Sequence, residues 1–105
     1  MAFIDSDNPL AAEILQEAAE AYFAACTRMV DAIEALKAFD RVVAASTQRS
    51  TRVERRARLL DEAAERVHFV LIQRDAMKLS WSETFFEQYG IPNEVRARVG
   101  KPRRK

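Results

Sequence analysis

The sequence predicts an all-α protein. It reads as a long antiparallel helical hairpin, over about residues 9–45 and 52–78, followed by two short helices over about 81–89 and 92–99. Three observations carry this. The 105 residues include only two glycines and three prolines, too few for a strand-rich fold with many turns. Apolar residues recur at alternating steps of three and four through most of the chain. Both glycines, Gly90 and Gly100, fall in the stretch WSETFFEQYGIPNEVRARVG at 81–100.

Asn8-Pro9 suits a helix start, since Asn is a good N-cap and Pro loses nothing at the first helical position. From there no Gly or Pro intervenes until about Ala45. Leu15, Ala18, Tyr22, Ala25, Met29, Ala32, Leu36, Phe39 and Val43 form a seven-residue repeat, the pattern of coiled-coil packing. Phe23, Cys26, Val30 and Ile33 widen that face. The helix would be about 55 Å long at the standard rise. The segment STQRST at 46–51 breaks the pattern, and Thr51-Arg52-Val53-Glu54 reads as a capping box opening the second helix. There the stripe is Val53, Ala57, Leu60, Ala64, Val67 and Leu71, with Ala63, Val70 and Met77 beside it. VHFVLI at 67–72 is apolar nearly all round and is expected to be buried on several sides. Two helices cannot cover faces this wide. A second subunit, the C-terminal segment, or both must lie on them, which favours a bundle completed by dimerisation.

Ser80-Trp81-Ser82-Glu83 resembles a second capping box, and the short helix after it stops at Gly90. Ile91 then sits where a Schellman motif places its hydrophobic contact, back onto Phe86. Pro92 starts the last helix, with Glu94 in its first turn and Arg96 and Arg98 in its last, as the helix dipole favours. A glycine turn between two short helices also suits a helix-turn-helix, with Asn93, Arg96 and Arg98 reaching bases. The second helix of that pair has only about two turns, and Val95 and Val99 take its inward face. The preferred reading is a lid on the hairpin, packed through Trp81, Phe85, Phe86, Tyr89 and Ile91.

Hydrophobic residues make up 49% and charged residues 31%, a globular rather than a disordered composition. The chain suffices for a single domain, residues 1–105, with 1–7 and 101–105 expected to be disordered. No apolar run approaches the roughly 18 residues of a membrane span. The first residues lack the features of a secretory signal, and Cys26 is the sole cysteine, so a cytoplasmic protein without internal disulfides is expected. The net charge of +1 hides an asymmetry: about −5 through Gln48 and about +6 after it. That suggests an acidic helix along a basic one, or a basic surface for nucleic acid.

Few residues suggest chemistry. Glu65-Arg66-Val67-His68 has the E-x-x-H spacing of di-iron bundles, and dimerisation would let Glu34 or Glu20 complete a ferritin-like site. No second E-x-x-H exists, and the favoured alternative is a surface Glu beside a partly buried His. With one His and one Cys, neither zinc spacing nor a Ser/His/Asp or Cys/His arrangement is present, and Cys26 reads as packing. Both glycines end helices, so there is no phosphate loop. No catalytic residue and no cofactor is assigned. Arg49, Arg52, Arg55, Arg56 and Arg58 form a basic run able to meet phosphates, or a solvated face paired with the acidic helix; Lys101, Arg103, Arg104 and Lys105 form a basic tail.

Gln73-Arg74-Asp75, Leu79, Tyr89-Gly90-Ile91-Pro92, Glu94-Val95, Ala97-Arg98 and Gly100 resemble a family of small, helical, uncharacterised proteins of alphaproteobacteria, over roughly residues 60–100. The resemblance implies a bacterial cytoplasmic protein and carries no activity. His68 stands where that pattern expects a bulky aromatic, which implies a packing role for it. The expectation is a non-enzymatic interaction or structural module, a homodimer with an unknown protein partner. The alternatives are a nucleic-acid-associated factor using Arg52, Arg55, Arg56, Arg103 and Arg104, and a metal protein using Glu65 and His68.

Overall fold

Two long helices, α1 (Pro9–Arg41) and α2 (Arg49–Ala76), pack antiparallel, and two short ones, α3 (Glu83–Gln88) and α4 (Asn93–Arg98), follow. The structure, a computed structural model, describes residues 9–42, 49–79 and 83–101, and no strand occurs among them. α1 and α2 pack against each other as a hairpin, so they are two helices and not one continuous one. The molecule measures 60 × 27 × 21 Å, and the 33-residue α1 spans about 50 Å of its length.

The register is set by two cross-helix pairs. Arg56 of α2 meets Asp40 of α1, and Arg74 of α2 meets Tyr22 of α1. The spacing between the pairs is the same on both helices, so they run in step. At that register Ala76, the end of α2, lies level with Glu20. The first two to three turns of α1 therefore project past α2. None of the described α1 side chains before Ala25 is buried.

The core runs from Ala25, Met29, Ile33 and Leu36 on α1 to Leu60, Ala63, Ala64, Val67, Val70 and Leu71 on α2, and is closed by Phe85, Phe86, Ile91 and Val95. Several expectations are corrected here. Leu15 belongs to the expected core stripe but is 49% exposed, because α2 ends before reaching it. Ile33, from the second stripe, is core. Val53 heads the expected α2 stripe but is exposed, and VHFVLI is buried on one side only. Val67, Val70 and Leu71 face inward, whereas His68, Phe69 and Ile72 face out, because α1 and α4 together leave the outer side of α2 uncovered.

The helix boundaries also move. α2 begins at Arg49, so Thr51 lies inside the helix and cannot cap it; arginine and serine before it are compatible with helical backbone. Its other end is a Schellman turn without glycine: Leu79 N–H donates to the Arg74 carbonyl, Lys78 N–H donates to the Asp75 carbonyl, and Lys78 takes φ +62°. α3 ends in the same motif with Gly90 at φ +61°, where Ile91 N–H donates to the Phe86 carbonyl and Gly90 N–H to the Glu87 carbonyl. Pro92 is extended, at φ −61° and ψ 147°, and precedes α4 rather than starting it. Asn8, Val43 and the 80–82 part of the second capping box lie outside the described residues.

Candidate interaction surface

α4 is pinned to the hairpin by charge as well as by Val95. Arg56 holds two carboxylates at once: its Nε and Nη2 donate to Asp40 at 2.8 and 3.0 Å, and its Nη1 and Nη2 donate to Glu94 at 2.7 and 2.8 Å. One guanidinium so joins α1, α2 and α4. It holds the Asp40 carboxyl below its ordinary range by hydrogen bonding, and its own value is raised in return. Arg98 Nε donates to Asp61 Oδ1 at 2.7 Å in a largely buried pair. Arg96 pairs with Glu83 of α3 and lies over the Phe86 ring, 4.3 Å from its centroid. Its hydrogen bonds hold the Glu83 carboxyl below the ordinary range.

The aromatic residues of the C-terminal segment complete the packing. Phe85 and Phe86 meet edge to face at 5.4 Å, and Tyr89 is half-buried against Phe85. Arg74 donates to the Tyr22 hydroxyl at 2.8 Å and stacks over Phe85. The Tyr89 hydroxyl lies 4.0 Å from Cys26 Sγ. Burial pushes both phenols above their ordinary range; the Cys26 thiol adds to this, and the Arg74 charge opposes it. Trp81 lies outside the described residues. Arg96 and Arg98, which a DNA-reading helix would turn outward, are held in intramolecular pairs, and Asn93 is exposed.

The E-x-x-H pair lines a cleft of about 350 Å³ with Asp61, Ala64, Arg98, Gly100 and Lys101. Glu65 and His68 are both exposed, which corrects the expectation of a partly buried or packing histidine: position 68 faces away from α1. Among the described residues no group of three or more His, Cys, Asp or Glu is placed to hold a metal ion. Glu20 and Glu34 are exposed on α1, and Glu20 accepts a hydrogen bond from Gln16.

Among the described residues, two uncovered regions stand out. The first is apolar: Leu10, Ile14 and Leu15 on the projecting part of α1 are 62%, 53% and 49% exposed, and Phe23, Phe69 and Ile72 are exposed further along. The second is a groove of about 390 Å³ at the opposite end of the hairpin, lined by Ala35, Ala38, Phe39, Val42, Thr51, Arg52, Arg55 and Leu59. No residue of α3 or α4 lines it. Arg49, Arg55 and Arg58 are exposed around this end and Arg52 is half-buried, whereas Arg56 is taken up by Asp40 and Glu94. Arg103 and Arg104 lie outside the described residues. Sequence reasoning located the arginines but not the groove, which forms from residues far apart in the chain.

No helix among the described residues is long and apolar enough to cross a membrane. No protein-family model, no curated protein and no solved structure matches the chain.

Proposed function

We propose that the protein is a non-enzymatic helical interaction module that acts as a homodimer, with its hairpins packed into a larger bundle. The observation that carries this is the run of exposed apolar side chains on α1, above all Leu10, Ile14 and Leu15, on a helix that projects beyond its partner. A helical stretch of a few turns with no other described helix against it is marginal in water, so a covering surface fits it better than solvent. The bundle account also supplies the additional helices that the wide apolar faces call for. The lone Cys26 and the resemblance of the C-terminal half support a bacterial cytoplasmic setting. Light scattering at low micromolar concentration tests the reading: a mass of two chains is expected, and a monodisperse single chain at all concentrations would contradict it.

A second reading, a nucleic-acid-associated factor, draws on exposed Arg49, Arg55 and Arg58. It requires binding to duplex or single strands that weakens steeply with salt. The ferritin-like alternative has less support, with Glu65 and His68 both exposed in an open cleft. Iron bound stoichiometrically after aerobic loading would revive it.

A further inference from the structure

We propose that two copies pair with their α1 helices antiparallel, the acidic, apolar end Leu10–Glu20 of each lying in the arginine-rimmed groove of the other. This rests on the homodimer reading and adds the surface, the partner residues and the symmetry.

The first support is the position of the residues on α1. Leu10, Ile14, Glu17, Ala21, Ala24, Arg28, Asp31, Ala35, Ala38 and Val42 fall on one stripe at alternating steps of three and four. The projecting residues and the α1 wall of the groove therefore face the same way. If α1 runs antiparallel against a second α1 with the two-fold axis near Cys26, Ile14 comes level with Ala38 and Leu10 with Val42. Large side chains then meet small ones at the groove, and between them Ala21 and Ala24 of each copy leave room for Asp31 and Arg28 of the other. Val42 and Leu10, 68% and 62% exposed in one chain, cover each other in this arrangement.

The second support is charge. Residues 10–20 carry Glu13, Glu17 and Glu20 and no basic residue; residues 49–58 carry one acid, Glu54, and five arginines, of which Arg56 is already held by Asp40 and Glu94. Within one chain the two clusters cannot neutralise each other. Glu17 lies about 36 Å along α1 from the level of Arg55 at the helical rise, several times the roughly 8 Å screening length at physiological salt. An antiparallel second copy brings each acidic end to a basic end, twice per dimer.

The third support is closure. The contact is isologous, so each chain gives one acidic end and one groove, and the assembly closes at two copies without leaving either surface to recruit further chains.

The test uses two charge-reversal variants of the full chain, E13R/E17R and R52E/R55E, examined by sedimentation velocity alone and mixed. Alone, each places like charges at both contacts, and its dissociation constant is expected to rise about a hundredfold or more. Mixed in equal amounts they restore opposite charges at both contacts and are expected to form a heterodimer of wild-type mass. Circular dichroism checks the fold, and R55E with E13R, both at exposed positions, forms a second pair if R52E/R55E fails to fold. If the variants each dimerise like the wild type, the dimer uses another face: this geometry falls while the homodimer reading stands. A mixture that stays monomeric overturns it too. A monomeric wild type, including one whose arginines bind nucleic acid, overturns both.

Discussion

Arg98 reaches from α4 to α2 and donates from Nε to Asp61 Oδ1 at 2.7 Å, with the two side chains only 17% and 6% exposed. A largely buried pair of this kind is costly to break from one side, because the remaining charge stays in a poorly solvated site. Arg98→Ala should therefore lower stability by about 2–3 kcal/mol, the low end for buried pairs because Arg98 keeps some solvent. Replacing both residues with leucine should recover most of the loss. Urea unfolding of the two single variants and the double variant measures the coupling.

Arg56 joins Asp40 and Glu94 from a more exposed position, and its contribution should depend on pH and salt. Asp40 and Glu83 both have folded-state values below their ordinary ones. Such groups stabilise the fold fully above the unfolded carboxyl range, and the contribution drains as pH falls through the depressed folded values. Stability should be level near neutrality and start to fall at about pH 4 and below. Arg56→Gln should flatten the part of that fall due to Asp40, a difference visible in thermal melts taken across the acidic range.

Lys78 and Gly90 occupy the same left-handed position in two matching helix-ending turns. Only glycine takes that backbone without a side-chain penalty. Lys78→Gly should stabilise the protein by about 0.5–1 kcal/mol. Gly90→Ala should cost about 1 kcal/mol, and a Cβ there would also lie 3.1 Å from Lys37 Nζ, the movable end of a long side chain. Chemical denaturation of both variants gives the two signs.

Phe85 and Phe86 are 4% and 6% exposed, whereas Phe23 is 67% exposed. Truncating either buried ring to alanine should cost about 3–5 kcal/mol. Phe23→Ala, made on a surface position, should stay within about 0.5 kcal/mol. Unfolding midpoints under one set of conditions compare the three directly.

The hairpin could be read in advance because an apolar repeat at steps of three and four is local information, and so is the Tyr89-Gly90-Ile91 helix stop. What the sequence could not show was where one helix runs out beside another. Leu15 continues the core stripe faultlessly and is exposed because α2 ends too soon. Thr51 and Glu54 match a capping box, but side-chain spacing does not reveal whether the preceding residues are already helical, as Arg49 and Ser50 are. The sequence pattern places the end of α2 at about 78 and it falls at Ala76, but its turn carried no glycine signal, since lysine takes the left-handed position. The Arg56 junction and the groove at Ala35, Ala38 and Leu59 arise from contacts between distant segments. For the same reason the exposure of His68 depends on which side of α2 its neighbours leave open.

The most direct measurement of the central claim is hydrogen exchange over residues 10–20, made above and below the concentration at which the chains associate. If a second copy covers this end of α1, its amides should be protected in the concentrated sample and lose that protection on dilution, while the core amides around Met29 and Val67 stay unchanged. Exchange over 10–20 that is the same at both concentrations would contradict the account.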